Sequence, residues 1–408
     1  MAPVCGSYTR HLFIILVTSV ICFLFLHFYI RYNDQGLLDS VIPMQDQQFS
    51  VSHFFNVNDR LTCVDPRSER GVEDTLCVQR PQYLPSYKNP CWLDSGPYNG
   101  LKRLRCLPYF HVLGVDKSGS TDLFSRITQH PQVLANSGGL GKETYYWCWL
   151  KYGQWMKGVV RPQPFVRYLR YFDEAAATIY HGFHTNGSEL ITGDGTPMDF
   201  WDFRAWTLIP QNKGLTEPAI LTPHLMRHLY RDPKFIIILR NPTERLYSDY
   251  LFLGYGWSPE KFRDDVPRAI DMMQRCLKVN STRQCVFSNH TYVEMPMRLH
   301  IGMYSVFMKE WLAVFPRSSF HILRTEDFAQ NMTLHLRLIY KFLGLEPLTD
   351  QQIEKIASMT RKHETEIKKE VEDMYPETRA QLDQFYAGYK EELATMLDDR
   401  SFLWHRLP

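Results

Sequence analysis

Short apolar runs alternate with segments of helical periodicity along most of the chain, and this alternation limits the possible folds more than any other feature. The apolar runs predict strands at 109–115, 189–192, 235–239 and 320–323. The helical patterns fall at 120–129, 242–253, 299–314, 334–342 and 377–397. Strands that alternate with helices favour a mainly parallel sheet flanked by helices. The sequence therefore predicts one large α/β domain.

The first strand–loop–helix segment has the composition of a phosphate-binding loop. The apolar run at 112–115 leads into Lys117-Ser118-Gly119-Ser120-Thr121, where the next helical pattern begins. Small residues let backbone N–H groups approach an anion, and a helix N-terminus adds positive potential. Gly114 and Gly119 are spaced as in a nucleotide-binding P-loop, but Ser120 stands where that motif has lysine. This displacement argues against a magnesium-dependent kinase or triphosphatase; an ordinary strand–helix turn is the other interpretation.

A second segment places an arginine at the end of a buried strand. The apolar run at 235–239 is continuous, as in a parallel strand that is buried on both faces. Arg240 follows it directly, at the edge where open α/β sheets bind ligands. Asn241 and Glu244 predict a capping box on the next helix, and Ser248 lies farther along that helix. Arg240 and Ser248 could therefore share an anion; the alternative is that Arg240 pairs with a carboxylate and Ser248 only packs.

The N-terminal apolar segment predicts a membrane anchor. Residues 11–30 contain no Asp, Glu, Lys or Arg and are long enough to cross a hydrocarbon core of about 30 Å. Bulky residues at 27–29 stand where a signal peptide would have its small-residue cleavage site, which favours an uncleaved anchor over a signal peptide or a buried helix. We expect a cytoplasmic tail at 1–10, the span at 11–30, a stem and cysteine-containing lead-in at 31–104, and the α/β domain at 105–408.

Sequons and cysteines beyond the span favour a lumenal location. The sequons are at Asn186, Asn280, Asn289 and Asn331, and none contains proline. Seven cysteines follow the span, and their spacing fits no zinc template. In an oxidising lumen Cys276 and Cys285 could close a short loop, the four cysteines between 63 and 106 could pair among themselves, and Cys148 would stay free. The alternative is that all seven are buried free thiols.

The overall charge offers no general attraction for polyanions. The chain has 46 Lys and Arg residues against 44 Asp and Glu residues, which leaves a net charge of +2. A basic surface for nucleic acid is therefore not expected. Any anion that this protein handles must bind through a few local groups.

The two strand–loop–helix segments, in this order, resemble the 5′-phosphosulfate and 3′-phosphate loops of the Golgi carbohydrate sulfotransferases. The pattern runs from Asn89-Pro90-Cys91-Trp92 to Phe402-Leu403-Trp404 and looks most like the branch with N-acetylgalactosamine 4-sulfate 6-O-sulfotransferase. The resemblance implies a P-loop-like sulfotransferase fold that uses 3′-phosphoadenylyl sulfate as donor and requires no metal. It implies that the 5′-phosphosulfate is held by Lys117, Ser118, Gly119, Ser120 and Thr121, and the 3′-phosphate by Arg240 and Ser248.

The same resemblance implies catalytic roles. Lys142-Glu143 matches the family's Lys-Glu pair, so Glu143 would be the general base on the acceptor hydroxyl, with Lys117 stabilising the leaving oxygen. Thr144-Tyr145 stand where relatives have Pro-His, which leaves the exact acceptor open. The segment 194–202 falls at the family's acceptor cleft, although it is more acidic than an anionic substrate would suggest. Residues 276 and 285 fall where the family has a disulfide.

The expected function is sulfation of a glycosaminoglycan, first of all the 6-O position of N-acetylgalactosamine (4-sulfate) in chondroitin or dermatan sulfate. The expected location is the Golgi membrane, as a single-pass type II protein bound to the bilayer by its one N-terminal span. Two alternatives stay open: another acceptor, such as heparan sulfate or a glycolipid, and a catalytically silent glycan- or nucleotide-binding Golgi protein. The segment Arg361-Lys362-His363 is a further candidate to approach the donor phosphate or the acceptor. The alternative is that these residues only form a solvated face.

Overall fold

The computed structural model describes residues 60–69, 71–95, 102–155, 158–185, 187–362 and 371–404. Its strands are β1 (Cys91–Ser95), β2 (Lys102–Cys106), β3 (Phe110–Gly114), β4 (Val133–Leu134), β5 (Gln154–Trp155), β6 (Gly158–Val159), β7 (Ile191–Asp194), β8 (Lys234–Leu239) and β9 (Phe320–Arg324). Its helices are α1 (Ser120–Ile127), α2 (Phe165–Leu169), α3 (Asp173–His181), α4 (Thr222–Leu229), α5 (Pro242–Phe252), α6 (Pro259–Val279), α7 (Thr282–Val286), α8 (Asn289–Glu294), α9 (Tyr304–Leu312), α10 (Thr325–Gln330), α11 (Met332–Phe342), α12 (Asp350–Ala357) and α13 (Pro376–Leu397).

The central sheet has five strands in the order β4-β7-β3-β8-β9, and every neighbouring pair is parallel. The predicted α/β architecture with a parallel sheet flanked by helices is therefore confirmed. The chain moves from β3 to one side through β4 and β7, and then to the other side through β8 and β9. In such sheets the ligand crevice lies at the carboxyl ends of the strands where the order changes direction. Here that point is between β3 and β8.

Strand β8 shows why a continuous apolar run belongs in the middle of a parallel sheet. Phe235, Ile237 and Leu239 pack in the larger hydrophobic core, whereas Ile236 and Ile238 pack in a second core. Successive side chains of a strand point to opposite faces, so both faces of β8 are buried. This burial fixes where the strand ends and thus places Arg240 at the sheet edge.

Several elements differ from the sequence-based expectation. The antiparallel pair β1–β2 and the helix α6 were not predicted. The helix expected at 299–314 is divided into a 3-10 turn, Leu299–Gly302, and α9. Among the described residues no helix is both long and apolar enough to cross a membrane. The predicted anchor at 11–30 and the Asn186 sequon lie outside the described residues.

Three disulfides join the cysteines as the sequence allowed. Cys276 pairs with Cys285, and the four cysteines between 63 and 106 form the bonds Cys63–Cys77 and Cys91–Cys106. Cys91 and Cys106 face each other across the β1–β2 pair. Cys148 is the free, buried thiol of the described chain, as predicted. The alternative of seven free thiols is therefore wrong.

Candidate active site

A cavity of about 1020 Å³ lies at the carboxyl ends of β3, β8 and β9. It brings together most of the residues that the sequence singled out. Those that line it are Lys117, Gly119, Ser120, Thr121, Glu143, Arg240 and Ser248. Ser118, between Lys117 and Gly119 in the same loop, does not line the cavity. Its side chain is fully buried, and its Oγ has no hydrogen-bond partner in the described part of the chain.

The loop between β3 and α1 leaves a helix N-terminus open towards the cavity. Gly119, with a φ of 90°, occupies the left-handed region that favours glycine and is the N-cap residue of α1. No side chain of the described residues caps this helix. The N–H groups of its first turn therefore stay available to an anion. Ser120 and Thr121, the first two helical residues, add hydroxyl groups at the same place.

Two side chains that directly follow the neighbouring strands β8 and β9 fasten this loop. Thr325, at the start of α10, has its Oγ1 2.7 Å from the carbonyl oxygen of Ser118. Arg240 donates from Nη1 to the carbonyl oxygen of Lys117 at 3.2 Å. The backbone of the loop is thereby held against the ends of β8 and β9, which brings Lys117 and Arg240 to one cavity.

Lys117 occupies an unusual environment for a lysine. Its Nζ lies 3.7 Å from the centroid of the Phe252 ring, within the range of a cation–π contact. Burial lowers the pKa of Lys117 to about 8, although the carboxylates of Asp249 and Asp116 act to raise it. The side chain is thus a cation near neutral pH that gives up its proton more readily than a solvated lysine.

Arg240 and Ser248 line the same cavity as Lys117. Asn241 caps α5 by accepting a hydrogen bond from the Thr243 amide at 3.0 Å, as predicted. The predicted capping box is wrong, because Glu244 forms an ion pair with Arg379. The backbone N–H of Asn241 donates instead to Oε1 of Glu326 at 2.9 Å. Burial lowers the pKa of Arg240, but a guanidinium stays charged at any physiological pH.

Glu143 is held from two sides. Its side chain is about nine-tenths buried, and its two oxygens accept hydrogen bonds from Lys142 Nζ and from the Tyr145 hydroxyl. Lys142 also donates to the carbonyl oxygen of Gly195 at 2.8 Å. The carboxylate therefore has a fixed orientation at the cavity wall.

Tyr145 is a site residue that sequence reasoning noted only as a departure from the family. Its ring stacks on Trp149 with centroids 5.4 Å apart, and Trp155 meets it edge-on at 5.0 Å. Burial and the neighbouring Glu143 raise the pKa of Tyr145, so the hydroxyl keeps its proton and acts as a donor. The aromatic contacts fix the ring and therefore the hydrogen bond to Glu143.

The acidic segment 194–202 presents little charge to the cavity. Only Pro197 and Met198 of this segment line it. The carboxylates of Asp194, Asp199 and Asp202 are buried away from solvent. Burial raises the pKa of Asp199 well above its ordinary range, and the nearby Asp194 adds to the shift. The excess of aspartates in the sequence is therefore not an excess of charge facing a ligand.

Further lining residues come from distant segments. Arg361 and Lys362 line the cavity, while His363 lies outside the described residues. The suggested contact of this segment with the donor phosphate or the acceptor stays a prediction. Sequence reasoning missed Arg298, Tyr292 and Phe252. Arg298 belongs to none of the motifs that the sequence singled out.

Comparison with known proteins gives one family and several relatives. The family described as "Sulfotransferase domain" matches residues 108–385. "Carbohydrate sulfotransferase 15" of Mus musculus is 35% identical over 316 residues, which are 74% of this chain and 55% of that protein. The protein of the same name from Homo sapiens is 34% identical over the same shares. The chain thus spans about half the length of these curated relatives. A sulfotransferase structure from Alicyclobacillus acidocaldarius is 18% identical, with a TM-score of 0.46 over 72% of this chain and 97% of that chain.

Proposed function

Because the chain belongs to the sulfotransferase domain family, as its sequence motifs indicated, we propose that it transfers a sulfuryl group from 3′-phosphoadenylyl sulfate to a carbohydrate hydroxyl. The observation that carries the proposal is the meeting of Lys117, Glu143, Arg240 and Ser248 around one cavity. Its volume of about 1020 Å³ lies at the upper end of the range for small-molecule sites. It has room for a nucleotide donor and for one end of a sugar acceptor.

The donor would lie along the edge of the sheet. Its 5′-phosphosulfate would contact Lys117 and the open N-terminus of α1, where Ser120 and Thr121 supply hydroxyl donors. Its 3′-phosphate would contact Arg240 and Ser248, and Arg361 also lines the cavity. Charged donors and helix N-terminal amides make strong hydrogen bonds to phosphate oxygens. A few placed groups are thus sufficient in a chain whose net charge is only +2.

Transfer would proceed by in-line displacement at sulfur. Glu143 accepts the proton of the sugar hydroxyl as the sugar oxygen forms its bond to sulfur. The bond between sulfur and the 5′-phosphate oxygen breaks, and Lys117 stabilises the charge that develops on that oxygen. The products are the sulfated sugar and adenosine 3′,5′-bisphosphate. Side chains supply both the base and the cation in this scheme, and no step needs a metal.

For the acceptor we propose the 6-hydroxyl of N-acetylgalactosamine, including its 4-sulfated form, in chondroitin or dermatan sulfate. This finer assignment rests on the sequence resemblance. The aromatic residues Tyr145, Trp149 and Tyr292 line the cavity and support a sugar ring in general, since binding sites combine apolar surface with a few polar groups. Heparan sulfate and glycolipids remain the competing acceptors.

We propose that the protein acts in the Golgi lumen, anchored by residues 11–30. The three disulfides support an oxidising compartment. Asn280, Asn289 and Asn331 are exposed and therefore accessible to N-glycosylation.

The test is transfer by the full-length chain, expressed through the secretory pathway and incubated with labelled donor. The acceptor panel contains desulfated chondroitin, chondroitin 4-sulfate, dermatan sulfate, heparan sulfate and a glycolipid, and disaccharide analysis locates the label. Lys117→Ala and Glu143→Gln should each lower turnover by about 100-fold or more. Absence of transfer to every acceptor, with no thermal stabilisation by adenosine 3′,5′-bisphosphate, would overturn the proposal. Nucleotide binding without transfer would identify the silent binding protein.

A further inference from the structure

Arg298 joins two carboxylates that belong to different parts of the chain. Its guanidinium binds Asp249 in bidentate fashion, with Nε 2.8 Å from Oδ2 and Nη2 bonded to Oδ1. The same Nη2 lies 3.2 Å from Oδ1 of Asp116. One guanidinium therefore bridges the loop after β3 and the helix α5.

Each of these carboxylates is adjacent in sequence to a residue that we assign to donor binding. Asp116 directly precedes Lys117, at the site proposed for the 5′-phosphosulfate. Asp249 directly follows Ser248, at the site proposed for the 3′-phosphate. The bridge thus links the two ends of the proposed donor site, although Arg298 itself belongs to neither segment.

The surroundings hold the bridge in a single arrangement. The Arg298 side chain is 6% exposed and that of Asp249 only 1%. Trp201 donates from Nε1 to the second oxygen of Asp116 at 2.7 Å, and its ring lies 5.5 Å from the Arg298 guanidinium carbon. Arg245 lies 3.3 Å from Asp249 and donates to the Arg298 carbonyl oxygen at 3.0 Å. Arg298 therefore cannot move without disturbing groups at both ends of the site.

The charge balance favours the same arrangement. Burial acts to raise the pKa of Asp249, but the guanidinium groups of Arg298 and Arg245 outweigh it and hold that pKa below its ordinary value. Asp249 is thus a carboxylate at neutral pH. A bidentate arginine–carboxylate pair also has a defined geometry that a lysine cannot reproduce.

We infer that Arg298 is a positioning residue that fixes the separation between the two donor-binding segments. The inference rests on the proposed function. A ligand with phosphates at both its 5′ and 3′ positions gains both contacts for one loss of translational freedom when the two segments are prepositioned. If the segments move relative to each other, the second contact is weakened. A nucleotide with a single phosphate engages one segment and is insensitive to their separation.

The experiment compares three ligands on the folded full-length chain: adenosine 3′,5′-bisphosphate, adenosine 5′-phosphate and adenosine 3′-phosphate. Their dissociation constants are measured by calorimetry at one ionic strength for the wild type and for Arg298→Lys. We expect Arg298→Lys to weaken binding of the bisphosphate by about 10-fold or more, and binding of either monophosphate by less than about 3-fold. Direct contact of Arg298 with a phosphate would instead weaken the corresponding monophosphate equally.

Two further variants make the comparison independent of general destabilisation. Asp116→Asn keeps the buried Arg298–Asp249 pair and an oxygen for Trp201, yet loses the charge at one end of the bridge; it should show the same selective loss. Arg283→Lys is the matched control, because Arg283 also bridges two carboxylates, Glu310 at 2.8 Å and Glu217 at 3.3 Å, without lining the cavity. It should leave all three dissociation constants unchanged.

Equal weakening of all three ligands, or an unchanged bisphosphate affinity in folded Arg298→Lys and Asp116→Asn, overturns the inference. If Arg298→Lys does not fold, the result for Asp116→Asn decides. If the wild type binds none of the nucleotides, the proposed function fails first. Wild-type preference for the bisphosphate together with an unchanged preference in the variants refutes only the role of Arg298.

Discussion

The ammonium group of Lys117 lies over the ring of Phe252, 3.7 Å from its centroid. Phe252 is the last residue of α5, and 60% of its surface is exposed at the cavity. The ring therefore shields from water the cation that we assign to the leaving oxygen. This shielding contributes to the burial that lowers the pKa of Lys117 to about 8.

The first prediction is a high-pH limb in the rate profile. Lys117 is charged below its pKa and neutral above it, so stabilisation of the leaving oxygen is lost as the pH rises through about 8. For an ordinary lysine the loss would come about two pH units higher. The measurement is kcat/KM for the donor from pH 6 to 10, because this ratio reports the pKa values of the free enzyme. A profile that stays flat up to pH 10 would contradict the role of Lys117.

The second prediction concerns Phe252→Leu. Phe252→Leu removes a cation–π contact that favours the charged lysine, but it also admits water to Lys117. Desolvation is the largest influence on this pKa, so its relief should outweigh the lost contact and move the high-pH limb to higher pH. Leu338→Ala, which changes an exposed apolar residue on α11 outside the cavity lining, is the control and should leave the limb in place. An unchanged limb in Phe252→Leu would show that the ring does not influence the lysine.

The third prediction is that Tyr145→Phe slows turnover without weakening donor binding. The variant keeps the stacked ring on Trp149 and removes only the hydrogen bond to Glu143. Hydrogen bonds to charged groups contribute about 1.5–3 kcal/mol, which corresponds to a loss of roughly 10- to 100-fold in kcat. The measurements are kcat and the dissociation constant of adenosine 3′,5′-bisphosphate. Tyr180→Phe, at an exposed position on α3, is the matched control. A wild-type kcat in Tyr145→Phe would remove Tyr145 from the mechanism.

The sequence predicted the parts of this site that are local. Strand β8 is apolar on both faces, so its end, and with it Arg240, follows from composition and topology. Strand β2 was missed because its first two residues are exposed, and because its pairing with β1 includes the Cys91–Cys106 disulfide. Arg298 could not be found in this way, because Asp116 is 182 residues away in sequence. Their contact depends on the packing of the whole domain, which periodicity and spacing do not contain.

The fourth prediction is that the double variant Cys276→Ser/Cys285→Ser is less stable but still binds nucleotide. The bond closes a loop with a sequence separation of 9 residues. Loss of such a constraint on the unfolded chain is expected to lower the free energy of unfolding by about 2–3 kcal/mol. Neither cysteine lines the cavity, so the affinity for adenosine 3′,5′-bisphosphate should not change. Denaturant unfolding measures the free energy of unfolding, and calorimetry measures the nucleotide affinity. A loss of affinity in the folded variant would contradict a purely stabilising role of the disulfide.

The fifth prediction is that the exposed Trp257 contacts a glycosaminoglycan polymer outside the cavity. Its side chain is 68% exposed, on the turn after α5 that also carries Leu253 and Tyr255 at the cavity wall. A polymer that reaches the cavity over this turn would bury the indole, whereas a single sugar would not extend that far. Trp257→Ala should therefore raise the KM for a glycosaminoglycan polymer by about 5-fold or more, since an aromatic side chain contributes on the order of 1–3 kcal/mol when buried. The KM for a disaccharide acceptor and the affinity for adenosine 3′,5′-bisphosphate should stay unchanged.

A matched control separates this local effect from a general change in surface hydrophobicity. Val279→Ala removes an apolar side chain that is 80% exposed, at the end of α6 and outside the cavity lining. It should leave both KM values at the wild-type level. Equal increases for polymer and disaccharide in Trp257→Ala would mean that the indole acts on the reacting sugar itself. No change for either acceptor would mean that the polymer enters the cavity from another side.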